Sequence, residues 1–443
     1  MPVRRRLRLS SFQIILLGFL VVILLGAALL MLPAATRARR STGALDALFT
    51  ATSALCVTGL VVRDTATHWS VFGKVVILLL IQIGGLGVVT TATALSGLSG
   101  RQIGLRQRSV LQESVAAQQL GGILSYTRFI LCATLVLEAL GALALFPVFA
   151  GEYGARKGAC VSVFHAVSAF CNAGFDLMGE REAFSSLSAY RADAVVNAVV
   201  MALIVLGGIG FRTLDDLRRH RLQLRRYRLQ SKLCLAVSAV LILLPALWYY
   251  CFELGGLSGG ERVLAALFQS VTTRTAGFNT VDYGAMSEAG QLLTIALMLV
   301  GGSPGSTAGG MKTTTLAVLL LYAAAVFRRG GQGSAFGRRL PTETLRAASA
   351  ILVAYLTLFL GVSCVMSRVE GLPLLATMFE TASAIGTVGL TLGLTPQLGA
   401  LSRGMLIFLM YFGRVGGLTL IFAALPKPDG HTARLPEEAV SVG

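Results

Sequence analysis

The sequence predicts an all-α membrane protein made of four pseudo-repeats. Composition gives the membrane. Of the 443 residues, 55% are hydrophobic and 13% charged, and the mean hydropathy is +0.74. A soluble domain carries roughly a quarter of its residues charged. Apolar runs of about 20 residues or more, enough to cross a hydrocarbon core of ~30 Å, fall near 12–32, 70–94, 122–149, 192–211, 232–252, 290–325, 347–366 and 402–424. The repeat comes from four short motifs: Val57-Thr58-Gly59-Leu60, Asn172-Ala173-Gly174-Phe175, Thr275-Ala276-Gly277-Phe278 and Thr387-Val388-Gly389-Leu390. Their glycines lie 115, 103 and 112 residues apart. A glycine at one place in four copies points to four backbone loops meeting at one axis, where carbonyl oxygens can replace an ion's water shell. The predicted architecture is therefore eight transmembrane helices in four units of helix, re-entrant pore loop and helix (M1-P-M2) around one central pore. The units run 1–100, 101–215, 216–330 and 331–443. The third has a broken second helix with a gate loop at 301–313, and the fourth carries the C-terminal tail.

Each element has a local reason. Arg4-Arg5-Arg6-Leu7-Arg8 precedes an uncharged run from Ser10 to Thr36. That run is too long for a usual signal-peptide core and has no clean small-x-small site after it, so it reads as a retained first helix. Ser41-Thr42-Gly43, with Asp46 following, opens the first short half-helix, and Ser258-Gly259-Gly260-Glu261 opens the third. Capping residues and early acids suit helix N-termini. Each half-helix then aims its negative C-terminal end at the pore centre, which favours a cation. The run 290–325 is too long for one crossing and is interrupted by Gly301-Gly302-Ser303-Pro304-Gly305-Ser306-Thr307-Ala308-Gly309-Gly310. Irregular backbone at membrane depth is tolerated only inside protein or beside a water-filled cavity.

Charge sets the orientation. Segments 1–11, 95–121, 212–232 and 326–346 carry 20 Lys/Arg and four acids (Glu113, Asp215, Asp216, Glu343), whereas 33–69, 150–191, 253–289 and 367–403 carry 12 of each. The positive-inside rule makes the first set cytoplasmic, with both termini inside and the loops entering from outside. Arg37, Arg39 and Arg40 are a local exception. Acid at the mouth, richer than in the cytoplasmic set, should concentrate cations. The basic 212–232 stretch reads as topology with anionic lipid contact, or as a docking surface for a cytoplasmic partner.

The net charge of +17 is taken up by topology rather than nucleic-acid binding. The seven cysteines are scattered with no metal-ligand spacing. The four histidines (His68, His165, His220, His431) are dispersed, and no nucleophile–base set points to an enzyme.

The candidate filter residues are Val57, Thr58, Gly59, Asn172, Ala173, Gly174, Thr275, Ala276, Gly277, Thr387, Val388 and Gly389, whose carbonyls would coordinate a cation. Glycine permits the dihedrals that turn successive carbonyls to the axis. Potassium channels place a second glycine two residues on. Here Val61, Asp176, Asn279 and Thr391 stand there, so discrimination against Na+ is in doubt. The bland alternative is that the glycines only pack helices. The candidate gate comprises Gly301, Gly302, Ser303, Gly305, Ser306, Thr307, Gly309, Gly310, Lys312 and Arg414, with a passive kink as its alternative. The loop lacks the phosphate-binding pattern G-x-x-x-x-G-K-[ST]. Lys312 either repels K+ or pairs with a carboxylate. Arg414, at membrane depth, should face the interior, as an electrostatic barrier below the filter that holds the gate loop by hydrogen bonds, or as one side of a buried salt bridge. Arg274 is expected to brace the filter from behind, with Asp282 or Glu261 as its partner. Glu138 and Lys74 are intramembrane ions with no partner to name.

At these residues the chain resembles the membrane subunits of Ktr potassium uptake systems (KtrB), within the TrkH/TrkG/KtrB/HKT superfamily. Thr52–Leu60, Phe170–Asp176, Thr272–Asn279 and Ala384–Leu390 resemble that family's four filters. Gly301–Thr313 resembles its glycine-rich loop, and Gly413-Arg414-Val415-Gly416-Gly417 the arginine-bearing segment of its last helix. Eight spans with a short N-terminus look more like KtrB than TrkH. The resemblance implies K+ uptake across the inner (plasma) membrane, Na+ stimulation, and a KtrA-like cytoplasmic nucleotide-binding ring that gates a homodimer with one pore per chain. No organic cofactor is expected. The alternatives are a TrkH-type or less selective K+/Na+ carrier of the same fold, a secondary carrier with a midplane site, and a membrane enzyme or receptor. The last two would need two repeats rather than four, or a polar catalytic cluster or large extramembrane domain.

Overall fold

The computed structural model describes residues 10–88, 90–91, 123–221, 223–328 and 333–416. The basic segments expected at 1–9 and 95–121, and the end of the last span beyond Gly416, lie outside these residues. What is described is almost wholly helical. In chain order the main helices are α1 (Ser11–Met31), α2 (Ala44–Leu55), α3 (Val71–Leu86), α4 (Ile123–Tyr153), α5 (Ala155–Phe170), α6 (Ala194–Gly208), α7 (Phe211–His220), α8 (Leu229–Trp248), α9 (Gly259–Thr272), α10 (Glu288–Met298), α11 (Thr313–Phe327), α12 (Thr342–Glu370), α13 (Leu374–Gly386) and α14 (Ala400–Val415). A two-residue hairpin pairs β1 (Ser334–Ala335) with β2 (Arg338–Arg339).

The helices follow local chemistry. Ser10 and Gln13 form a reciprocal capping box at the start of α1, which satisfies N-terminal donors no helical carbonyl can reach. Along α1 the buried residues Ile15, Phe19, Ile23, Ala27 and Leu30 form one stripe, while Leu17, Val21, Leu24 and Leu25 are exposed. An apolar helix with an apolar outer face suits lipid rather than water. Inside, helices approach through small residues, as packing in a membrane requires. A methyl group on Gly141 of α4 would come within 2.6 Å of Leu203 Cδ1 on α6.

The order long helix, short helix, extended strand, helix occurs four times. The short helices are α2, α5, α9 and α13. Each second helix packs on the short helix of the next unit: α3 on α5, α6 on α9, α10 on α13, and α14 back on α2. The contact order closes a ring.

Hydropathy predicts eight spans with one of them, 290–325, interrupted, and the structure shows helix ends inside other spans as well. Among the described residues four helices are long and apolar enough to cross a membrane unaided: α1, α4, α8 with its continuation to Glu253, and α12. These are the first helices of the four units. The second helices are shorter and break at glycine. α3 stops at Leu86, where Gly87 has φ +86°; the path after α6 turns by 100° into α7 at Gly210, φ +89°; α14 ends at Gly416, φ +93°. A left-handed residue cannot continue a right-handed helix, and average hydropathy does not register dihedral angles. In the third unit the break is the expected long one, between Met298 and Thr313.

Candidate functional site

Each short helix ends where a motif begins, and the backbone there is unusual in the same way four times. Val57, Asn172, Thr275 and Thr387 all have left-handed φ, between +52° and +65°, and two residues later Gly59, Gly174, Gly277 and Gly389 have φ of +91°, +68°, +79° and +93°. For β-branched residues such as Val57, Thr275 and Thr387 this conformation is a genuine outlier. Strain of this sort persists only when the surroundings enforce it, and it clusters at functional sites.

The four strands meet. A Cβ placed on Gly59 would lie 2.5 Å from the Ala173 carbonyl oxygen, one on Gly174 2.9 Å from that of Ala276, and one on Gly277 2.5 Å from that of Val388. One on Gly389 would strike the carbonyl of Thr58. Each glycine thus faces the carbonyl before the next unit's glycine, in cyclic order. No side chain fits at any of the four. Buried side-chain oxygens with no protein partner among the described residues cluster here as well: Thr58 Oγ1, Asn172 Oδ1 and Thr387 Oγ1, with Ser306 Oγ in the loop of the third unit. Buried polar atoms are normally partnered, and orphaned oxygens suit water or a cation.

Hydroxyls fix the strands from behind. Ser53 and Ser383 Oγ accept from the Gly59 and Gly389 N–H groups at 3.1 and 3.0 Å. Ser168 Oγ and Thr272 Oγ1 donate to the Phe175 and Phe278 carbonyls at 2.7 and 2.5 Å. Sequence reasoning missed this set. Its signal is a Ser or Thr six residues before each glycine, five in the third unit.

The Gly301–Gly310 loop ties the second-helix breaks together. Ser303 N–H donates to Gly208 O at 2.9 Å, Thr307 N–H to Gly207 O at 3.2 Å, and Gly310 N–H to Gly413 O at 3.1 Å. Thr307 Oγ1 donates to Phe170 O, at the end of α5, at 2.9 Å. The Arg414 guanidinium completes the junction, donating to Thr307 O of the loop and to Gly84 O and Gly85 O of the first unit. The breaks share a pattern unrecognised in the sequence: Gly84-Gly85-Leu86-Gly87, Gly207-Gly208-Ile209-Gly210, Gly301-Gly302-Ser303-Pro304 and Gly413-Arg414-Val415-Gly416. Arg414 stands where the other three units carry glycine. The leading glycines of the first, second and fourth breaks (Gly84, Gly207, Gly413) press on the carbonyls of Leu55, Phe170 and Ile385, at or beside the ends of α2, α5 and α13.

A profile of the TrkH family, described as a cation transport protein, matches residues 5–433. The chain belongs to the TrkH family. It is 40% identical to the potassium/sodium uptake protein NtpJ of Enterococcus hirae, over 100% of this chain and 99% of that one. It is 38% identical to Ktr system potassium uptake protein B of Bacillus subtilis, over 98% and 97% of the two chains. The fold matches the crystal structure of the potassium transporter TrkH from Vibrio parahaemolyticus with TM-score 0.75 at 19% identity, over 96% of this chain and 87% of that one.

Within this TrkH-family chain several expected ion partners are replaced by backbone. Arg274 donates to Ser238 Oγ at 3.3 Å and Gly301 O at 3.4 Å, not to an acid. Glu261 instead pairs with Arg191 at 2.5 Å, and Asp282 accepts from the Gly284 N–H. Lys312 Nζ donates to Ala308 O at 2.8 Å and Gly309 O at 3.3 Å, bracing its own loop rather than meeting a carboxylate. Arg414 likewise binds carbonyls. Unwound backbone offers carbonyls where these cations sit, so acids are not needed. Glu138 does have partners, Gln82 at 3.3 Å and Cys171 at 3.7 Å, and Lys74 donates to Ala66 O at 2.8 Å.

Beyond the four glycine strands, ion pairs join the units. Asp46 is held by Arg63 at 2.9 Å and by Arg403, from the fourth unit, at 2.6 Å. The unexplained Arg37 pairs with Glu180 of the second unit at 2.6 Å. The hydrogen bond from Lys157 and then that from Arg37 pull the Glu180 pKa down to about 2. Pairing therefore takes up part of the acid expected to attract cations at this mouth.

Proposed function

We propose that this chain is the K+-conducting subunit of a Ktr-type uptake system. The observation that supports it is the closed ring in which Gly59, Gly174, Gly277 and Gly389 each face a carbonyl of the next strand. The carbonyls of Val57, Thr58, Asn172, Ala173, Thr275, Ala276, Thr387 and Val388, with those of the glycines, would replace water around a K+ ion. The loop Gly301–Gly310 with Lys312 and Arg414 acts as the gate, since the loop bonds to the second and fourth breaks and reaches the first through Arg414. The four units divide as 1–100, 101–215, 216–330 and 331–443.

The relatives support K+ as cargo by their printed names, and similarity over nearly the whole chain extends that reading to this protein. From the positive-inside charge pattern we infer a multi-pass plasma-membrane location with both termini cytoplasmic, and from the resemblance to Ktr membrane subunits a homodimer and a KtrA-like nucleotide-binding ring on the cytoplasmic face. A less selective K+/Na+ carrier is the second reading. It is favoured by Val61, Asp176, Asn279 and Thr391 standing where potassium channels carry a second glycine, and by the name of the Enterococcus relative. The test is growth of a K+-uptake-deficient bacterium at low external K+. Rescue by this chain together with a regulatory ring supports the proposal. No rescue, with the chain present in the membrane, contradicts it.

A further inference from the structure

One position in each short helix carries a feature that neither the filter nor the gate uses. Thr50, His165, Gln269 and Glu380 each follow a buried phenylalanine (Phe49, Phe164, Phe268, Phe379) and stand three residues before the Ser/Thr that fixes the filter. All four are at most 1% exposed. In three units the side chain reaches the same backbone atom, the N–H three residues beyond the filter glycine. His165 Nδ1 donates to the Val161 carbonyl at 2.8 Å, which leaves Nε2 unprotonated to accept from Leu177 N–H at 3.4 Å. Gln269 Oε1 accepts from Thr280 N–H at 3.5 Å while its Nε2 donates to Val281 O at 2.9 Å. Glu380 Oε1 accepts from Leu392 N–H at 3.1 Å and from the Thr391 hydroxyl, and Oε2 accepts from the Thr395 hydroxyl at 2.6 Å. In the first unit Thr50 is too short to cross. Its hydroxyl donates back to Asp46 O at 2.8 Å, and Asp46 instead takes Arg63, four residues beyond Gly59.

We infer that His165, Gln269 and Glu380 are equivalent positioning residues: struts that hold the outer end of each filter strand against its short helix. An imidazole, an amide and a carboxyl group make the same bond, so the requirement is a hydrogen-bond acceptor at that reach, not an ion. A buried N–H left without an acceptor is costly, and the strand would shift to find one. The carbonyls just before it would move too.

The inference rests on the filter reading, and the experiment separates the two. K+ and Na+ fluxes are measured in vesicles containing the full-length chain and its variants, with Gly174→Ser in parallel. His165→Gln and Glu380→Gln place in their units the side chain the third already uses, and should keep the wild-type K+/Na+ ratio. His165→Leu and Glu380→Leu remove the acceptor and should lower the ratio by about threefold to tenfold, the scale of one buried hydrogen bond. Glu380→Asp keeps the charge but is one methylene short. It should behave like leucine, and it decides the matter if the leucine variants do not reach the membrane. Leucine and aspartate variants with an unchanged ratio, beside a lowered ratio for Gly174→Ser, overturn the struts and leave the filter standing. Glutamine variants as impaired as leucine overturn the acceptor argument. No effect of Gly174→Ser overturns the filter reading itself.

Discussion

Replacing Gly277 by serine tests the filter most economically. Gly277 has φ +79°, and a Cβ there would lie 2.5 Å from the Val388 carbonyl oxygen and 3.0 Å from Gly174 Cα. The left-handed conformation alone costs a non-glycine residue roughly 1–2 kcal/mol. Ordinary contact between such atoms lies near 3.5 Å, so the Val388 carbonyl must withdraw by roughly 0.5–1 Å. It is one of the oxygens proposed to hold the ion. Losing its alignment should reduce discrimination between K+ and Na+ by about 1–3 kcal/mol, or roughly 5-fold to 150-fold in the flux ratio. The clash is made by Cβ, so Gly277→Ala should do nearly the same damage, which separates sterics from any effect of a hydroxyl. The assay is K+ and Na+ flux into vesicles containing folded protein. An unchanged flux ratio in both variants would refute the filter assignment.

Deleting Gly302–Gly309 should raise K+ flux in vesicles that lack the regulatory ring; flux that still needs the ring argues against a gate. Arg414→Ala leaves the Thr307, Gly84 and Gly85 carbonyls without their charged donor. Bonds of that kind are worth about 1.5–3 kcal/mol each, so ring-independent Rb+ uptake should rise at least severalfold; uptake equal to wild type counts against the arginine as a latch. Glu180 supplies a pH test. Its folded pKa, about 2, lies below the ordinary value of about 4.3, so its pairing stabilises the fold above about pH 4 and is lost as pH falls towards 2. Arg37 and Lys157 are about half exposed (47% and 50%), so the effect is modest. Wild type in detergent should lose slightly more thermal stability than Glu180→Gln between pH 5 and 3, and identical profiles contradict the pairing.

The sequence revealed the helical class and the four glycine motifs because both recur at the level of residue type. The breaks in the second helices were readable only in the third unit, where ten small residues interrupt the run. In α3, α6 and α14 one positive-φ glycine does the same work inside an apolar stretch, and hydropathy runs through it. Charge suggests countercharge, so an acid is expected for Arg274 and Lys312 is left between repelling the ion and meeting a carboxylate, while Arg414 is expected to hydrogen-bond to the loop, which the structure shows. The partners of Arg274 and Lys312 are a serine hydroxyl and main-chain carbonyls, which no charge pattern announces. The ring of units was legible only as an analogy between motifs, since the cyclic packing of α14 on α2 joins residues more than 340 positions apart. The polar residue after Phe49, Phe164, Phe268 and Phe379 was in plain view, but its four different identities hid the common role.

The most direct measurement is a structure determined with Tl+ or Rb+ in place of K+. Anomalous density on the axis between the Thr58, Ala173, Ala276 and Val388 carbonyls, in direct coordination with them, is the expected result. Density found only where water separates the ion from these oxygens, or no density between them under conditions of active uptake, would contradict a filter that binds a dehydrated alkali ion.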